Sequence, residues 1–199
     1  MPVSTQNINF ELGNGYRVKS VTHQEYLDAC AKLEDQIFGE YFNFNLNQAL
    51  SEKERQNLKS LQSTMNYNFQ LCLGIFTAEN QLVGWQYSAQ ERVGEVLMKD
   101  TGLLPAHQRK GTYKLLLPLV LNIFKEIGFT SVLSYHRVIN NSVIVPKLKA
   151  GFLINGIVTD IYGTVVELIY PFNEQYRESF LVRSGERRPR GQMASLLGL

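Results

Sequence analysis

Leu103-Leu104-Pro105-Ala106-His107-Gln108-Arg109-Lys110-Gly111-Thr112 closes a strand-like apolar run and opens a long apolar helix, with one glycine set among basic residues. The first amides of a helix have no internal partner and carry partial positive charge, so a junction of this kind is a backbone cradle for phosphate. Gly111 lacks the Cβ that would hold a diphosphate away from those amides. Arg109, Lys110 and Lys114 add positive charge around it, and Thr112 and Tyr113 begin the helix.

On the C-terminal side, the periodicity predicts a helix to about Ile127, with Leu115, Leu119 and Ile123 on one row and Leu116, Val120, Phe124 and Ile127 on the next. Pro118 lies past the first turn, which predicts a kink or a split there. Ser131 to Arg137 is β-rich, and strand, helix, strand implies a right-handed parallel crossover from Val96–Leu104. On the N-terminal side, Phe69–Thr77, Leu82–Gln90 and Val96–Leu104 read as an antiparallel meander. Tyr16–Val21 is a first strand, and Thr22 with Glu25, then Ser51 with Glu54, are capping boxes that start two helices. Val143–Ala150 is a short helix stopped by Gly151, and Phe152–Ile161 with Thr164–Tyr170 form a final hairpin. The expectation is an α/β (α+β) fold: a mixed, mostly antiparallel sheet of six to seven strands with about four flanking helices. One domain spans 14–182 after a loose arm, and 183–199 is a basic, flexible tail.

Gln108-x-x-Gly111, preceded by the hydrophobic-x-Pro step Leu103-Leu104-Pro105, resembles the Q/R-x-x-G-x-G/A signature of the Gcn5-related N-acetyltransferases. Asn140-Asn141-Ser142 through Lys149-Ala150-Gly151-Phe152 resembles the second signature of the same family, an asparagine before a short helix that closes on Gly-Phe. The likeness covers Tyr16 to Tyr170. It implies the family's mixed sheet, acetyl-CoA as co-substrate, no metal, and transfer of the acetyl group to a primary amine by direct attack. By the same resemblance, Leu103, Leu104, Pro105, Gln108, Arg109, Lys110, Gly111, Thr112, Tyr113, Lys114 and Asn140 hold the cofactor, with a backbone N–H near Leu103 on the thioester carbonyl.

The sequence departs from the pattern at three places: Tyr113 replaces the second small residue, Lys147 stands where the family usually has a tyrosine that protonates the departing sulfur, and Leu97 where a glutamate is often found. Glu95, on the face of Leu97, is therefore the candidate base, acting through a water, while Asp100 falls on the other face unless Gly102 marks a bulge. Lys147 and His136 complete the catalytic candidates. Tyr41, Phe42 and Phe44, between the first two helices, are candidates to cover the acceptor, or else close the core beneath those helices.

In 199 residues with net charge +2, the last seventeen carry +3 and the rest −1, which argues against a nucleic-acid partner for the body. The longest aliphatic run, Leu115–Leu121, is far short of the ~20 residues of a membrane span. Three histidines and two isolated cysteines have no metal-type spacing, and no secretory signal is visible, so the expectation is a cytoplasmic protein. A homodimer is left open. Two alternatives stand beside the enzyme: a non-catalytic acyl-CoA-binding module of the same fold, and an interaction protein that uses the Arg-rich tail.

Overall fold

The sheet is built around one crossover. In a computed structural model that describes residues 7–39, 50–64, 69–160, 163–196 and 198, eight strands run in the order β1-β2-β3-β4-β5-β6-β8-β7. They are β1 (Asn9–Glu11), β2 (Tyr16–Ser20), β3 (Gln70–Thr77), β4 (Leu82–Arg92), β5 (Glu95–Leu103), β6 (Ser131–Arg137), β7 (Leu153–Asp160) and β8 (Gly163–Pro171). All neighbours are antiparallel except β5 and β6, which α3 (Thr112–Ile127) connects in the parallel sense. The other helices among the described residues are α1 (His23–Phe38), α2 (Glu52–Thr64), α4 (Asn141–Lys149), α5 (Glu174–Arg183) and α6 (Gly191–Leu196). The strand count exceeds the expected six or seven because Asn9–Glu11, in the predicted loose arm, pairs with Arg17–Lys19 as an edge strand. The segment expected as a flexible tail carries α6, whose Met193 is buried.

Both predicted capping boxes form: the Thr22 hydroxyl accepts from Glu25 N while Glu25 accepts from Thr22 N at 2.7 Å, and Ser51 with Glu54 repeats the arrangement. Each side chain satisfies helix amides that would otherwise lack partners.

The two faces of the sheet are unlike. On one, α3 and α4 cover Val18, Leu73, Ile75, Val96, Val132 and Leu168, and Leu116, Val120 and Phe124 of α3 are fully buried there. Leu117 and Leu121 are buried beside them while Leu115 is exposed, so the apolar stripe lies one position further round the helix than the predicted pair of rows. On the other face, Tyr26, Ala29 and Ile37 of α1 pack on Cys72, Trp85, Tyr87 and Ala89.

Of the kink or split expected at Pro118, the split does not occur: α3 is one continuous helix from Thr112 to Ile127. The proline lies on the exposed side, where water can take the carbonyl that its missing N–H leaves free. Pro118→Ala restores that bond at the cost of a freer unfolded chain, and should raise unfolding stability by about 2 kcal/mol in urea titration.

Candidate active site

β5 and β6 are paired only over Glu95–Leu97 and Ser131–Leu133; beyond Leu97, β5 follows β4 and β6 follows β8. The two strands therefore part at Leu97 and Leu133 and leave a wedge between their C-terminal halves. Leu104 gives its N–H to Val83 of β4 at 2.9 Å, so the alternate residues Leu103 and Thr101 turn their main chain to the opposite edge, into the wedge. A peptide-like ligand can add there as a strand.

β5 ends in the loop that is expected from the sequence to cradle phosphate. Pro105–His107 is a single 3-10 turn, and the Gln108 side chain donates back to Leu103 O at 2.8 Å. Arg109 and Gly111 both take the left-handed conformation, at φ 58° and 76°. For Arg109 this costs roughly 1–2 kcal/mol, and for glycine almost nothing. A Cβ built on Gly111 meets no atom within 4 Å, so the space over the first amides of α3 is open. The loop is moored from the N-terminal side: Asn14 donates to Lys110 O and to Thr112 Oγ1 at 3.2 and 3.1 Å, and Tyr16 OH lies 2.9 Å from His107 Nδ1. Thr112 is buried, while Arg109, Lys110 and Lys114 are exposed around the opening. Tyr113, at the position of the signature's second small residue, turns its ring against the core, and its hydroxyl is buried without a hydrogen-bond partner among the described residues. Asn140 precedes α4 and accepts from Ser142 at 2.7 Å.

A bulge decides on which face of the sheet Asp100 lies. Tyr87 pairs with Asp100 and Ser88 with Met98, so Lys99 is the extra residue of β5. Val96 and Met98 face α3, but after the bulge Asp100 and Gly102 face α1. The bulge that would bring Asp100 to the face of Glu95 thus exists, at Lys99 rather than at Gly102. A Cβ on Gly102 would stand 3.0 Å from Ile37, so the end of α1 lies directly over this strand. Asp100 Oδ2 accepts from Trp85 Nε1 at 2.6 Å and from Tyr26 OH at 3.3 Å. Burial raises its pKa above the usual aspartate value, against the pull of these donors. Glu34 is raised as well, first by burial and then by the charge of Asp100. Glu95 sits instead at the closed end of the wedge, pairs with Arg92 at 3.6 Å, and stands opposite Ser131.

On the α3 side, Lys147 of α4 is fully buried and donates to Ser134 Oγ. His136 Nε2 is 2.7 Å from the same hydroxyl. The structure thus brings together Lys147 and His136, which are eleven residues apart in sequence, through a serine that sequence reasoning did not single out. Tyr41, Phe42 and Phe44 lie outside the described residues. No group of three or more His, Cys, Asp or Glu among the described residues is placed to hold a metal, and no helix among them is long and apolar enough to cross a membrane.

No protein-family model matches this sequence, and no curated protein matches it. Solved structures do. The ribosomal-protein-S5-alanine acetyltransferase from Vibrio fischeri superposes with a TM-score of 0.63 at 12% identity, over 84% of this chain and 98% of that one. The acetyltransferase from Salmonella typhimurium that modifies the N-terminal serine of ribosomal protein L7/L12 gives 0.59 at 15% identity, over 83% and 100%. The ribosomal-protein-S18-alanine N-acetyltransferase from Escherichia coli gives 0.58 at 16%, over 79% and 94%. The fold is that of the Gcn5-related N-acetyltransferases, as the two signatures implied.

Because Asp100 has a raised folded-state pKa, it opposes folding once ionised: stability is highest below the unfolded aspartate value of about 3.9 and falls as pH rises through the folded one. Asp100→Asn keeps an acceptor for Trp85 and Tyr26 and removes the charge. It should be more stable than wild type at pH 7, with the gain shrinking towards pH 4, as read by urea unfolding at the two pH values.

Proposed function

We propose that the protein is an acetyl-CoA-dependent N-acetyltransferase that passes the acetyl group directly to an amine. The observation that carries this reading is the wedge itself: strands parted at Leu97 and Leu133, main chain of Thr101 and Leu103 on the edge of β5 that faces the gap, and an open helix start at Gly111 at its far end. The amides at Gly111 and the start of α3, with Arg109, Lys110 and Lys114, take the diphosphate. The pantetheine arm pairs with the main chain of Leu103, and a backbone N–H near Leu103 polarises the thioester carbonyl as negative charge develops on it. Leu104, Pro105, Gln108, Thr112, Tyr113 and Asn140 shape or support this cradle.

At pH 7 under about one in a thousand molecules of a lysine-type amine (pKa near 10.4) and about one in ten of an α-amine (pKa near 8) are neutral, and either loses a proton on acetylation, so a base on the acceptor side speeds the reaction. Asp100 takes that role in place of Glu95: it stands on the acceptor face with a raised pKa, whereas Glu95 is held by Arg92. Tyr41, Phe42 and Phe44 remain candidates for contact with the acceptor on the strength of the resemblance alone. The neighbouring structures act on ribosomal-protein residues, and we take an exposed α-amine of a protein or peptide as the first acceptor to try. Cys30 and Cys72, both free thiols, fit a cytoplasmic location.

Acetyl-CoA at about one hundred times its Kd should add about 2.7 kcal/mol to stability, read as a rise in Tm that ATP does not reproduce. Gly111→Val should abolish that shift while circular dichroism shows a folded protein, since a β-branched residue fills the diphosphate space and resists a positive φ. Thiol release from acetyl-CoA with alanine- and serine-leading peptides and a polyamine then separates an enzyme from a non-catalytic module, and Asp100→Asn should lower it by about 10²–10⁴-fold.

A further inference from the structure

The tip of the N-terminal hairpin, between β1 and β2, reaches the loop that opens α3, joining partners 96 and 98 residues apart in the chain. Leu12 N donates to Tyr16 O at 2.8 Å, and the side chains of Leu12 and Tyr16 are both buried in the core, so the tip is fixed at its base. Gly13 and Gly15 take positive φ, at 77° and 82°, and the turn they make presents the one side chain between them, Asn14. This tip lies outside the two signatures of the family likeness, in the segment that the sequence suggested was a loose arm.

A main-chain carbonyl only accepts, so the amide nitrogen of Asn14 is the atom that faces Lys110 O, at 3.2 Å; its second proton goes to Thr112 Oγ1, at 3.1 Å. In a trans peptide the C=O and the N–H that follows it point to opposite sides. Holding Lys110 O therefore fixes the direction of the Gly111 N–H, and holding Thr112 Oγ1 fixes the first residue of α3. Gly111 has no Cβ to resist rotation of that peptide, so the restraint comes from Asn14. The start of α3 has no side-chain cap, and Asn14 acts on a carbonyl and a hydroxyl, which leaves the helix amides open. The Asn14 oxygen, the atom able to cap such an amide, is instead buried without a partner among the described residues, an arrangement that does not maximise stability. A second contact from the same hairpin, between Tyr16 OH and His107 Nδ1 at 2.9 Å, holds the turn that precedes the loop.

We propose that Asn14 is a positioning residue for the diphosphate of acetyl-CoA: it holds the Lys110–Gly111 peptide, before any ligand arrives, in the orientation that offers the Gly111 amide to it. This rests on the acetyltransferase reading. A loop that is free to turn has to be ordered on binding, and that cost is subtracted from affinity; a loop already held by the hairpin binds without it. The consequence is confined to the part of the ligand that the loop touches. Under the same reading the thioester end of the ligand lies along β5, whose residues Asn14 does not contact, so Asn14 acts on how tightly the diphosphate is held and not on the chemical step.

Asn14→Ala removes both bonds at a surface turn and should fold, as circular dichroism would check. Calorimetry should give it a Kd for acetyl-CoA raised by about three- to thirtyfold, as expected for the loss of one or two hydrogen bonds. Asn14→Asp keeps the shape but cannot donate to Lys110 O, and should bind at least as weakly. S-acetyl-pantetheine, which carries the thioester and no diphosphate, should displace acetyl-CoA with the same inhibition constant from wild type and both variants. In thiol release with an alanine-leading peptide, KM for acetyl-CoA should rise by the same factor as Kd while kcat stays unchanged. Wild-type affinity for acetyl-CoA in Asn14→Ala or Asn14→Asp, an equal loss of S-acetyl-pantetheine binding, or a fall in kcat with KM unchanged would each overturn the proposal and leave the acetyltransferase reading standing. Wild type that does not bind acetyl-CoA at all would remove that reading and the role of Asn14 with it.

Discussion

The short parallel contact between β5 and β6 is the constraint on which this molecule depends. Three residue pairs hold the strands together, and a longer contact would close the wedge. The crossover through α3 makes the pair parallel, and the differing partners of the two strands pull them apart: β5 continues along β4 to Leu103, while β6 continues along β8 to Arg137. A parting of this kind exposes main-chain groups that folded proteins otherwise pair. It persists because each strand is secured on its far side.

Locally unfavourable features gather at this opening. Arg109 sits at a positive φ, Asp100 is a buried carboxylate, Lys147 is a buried ammonium, and the Tyr113 hydroxyl is buried without a partner among the described residues. Elsewhere local preference and fold agree: the capping boxes start the helices and the apolar stripe of α3 meets the sheet. Buried charge and strained backbone gathered at one opening are the pattern expected of a site that gives up stability for chemistry.

The two carboxylates of β5 show what a single extra residue does. With strict alternation Asp100 would lie with Met98 among the apolar side chains under α3. The bulge at Lys99 reverses the second half of the strand and sets Asp100 beside Tyr26 and Trp85 under α1. The wedge is thus bordered on one face by a carboxylate and on the other by an ammonium. Such a division suits a reaction that takes a proton from one reactant and gives one to another.

Much of this was legible in the sequence. Periodicity and capping residues fix where helices and strands begin, and a glycine between basic residues after a Leu-x-Pro step marks an anion cradle, because these are properties of the local backbone. The meander, the crossover and the final hairpin follow from them. Nothing local signalled the bulge: Lys99 carries no turn chemistry, and only the register against Tyr87 and Ser88 reveals it. Nor does spacing join Lys147 to Ser134 and His136, since their contact requires α4 to pack on β6. The sequence by itself determined the class of fold and the loop that opens the helix at Gly111; tertiary structure decided on which face of the sheet Asp100 lies and what surrounds Lys147, because side-chain direction and burial depend on register and packing rather than on residue type.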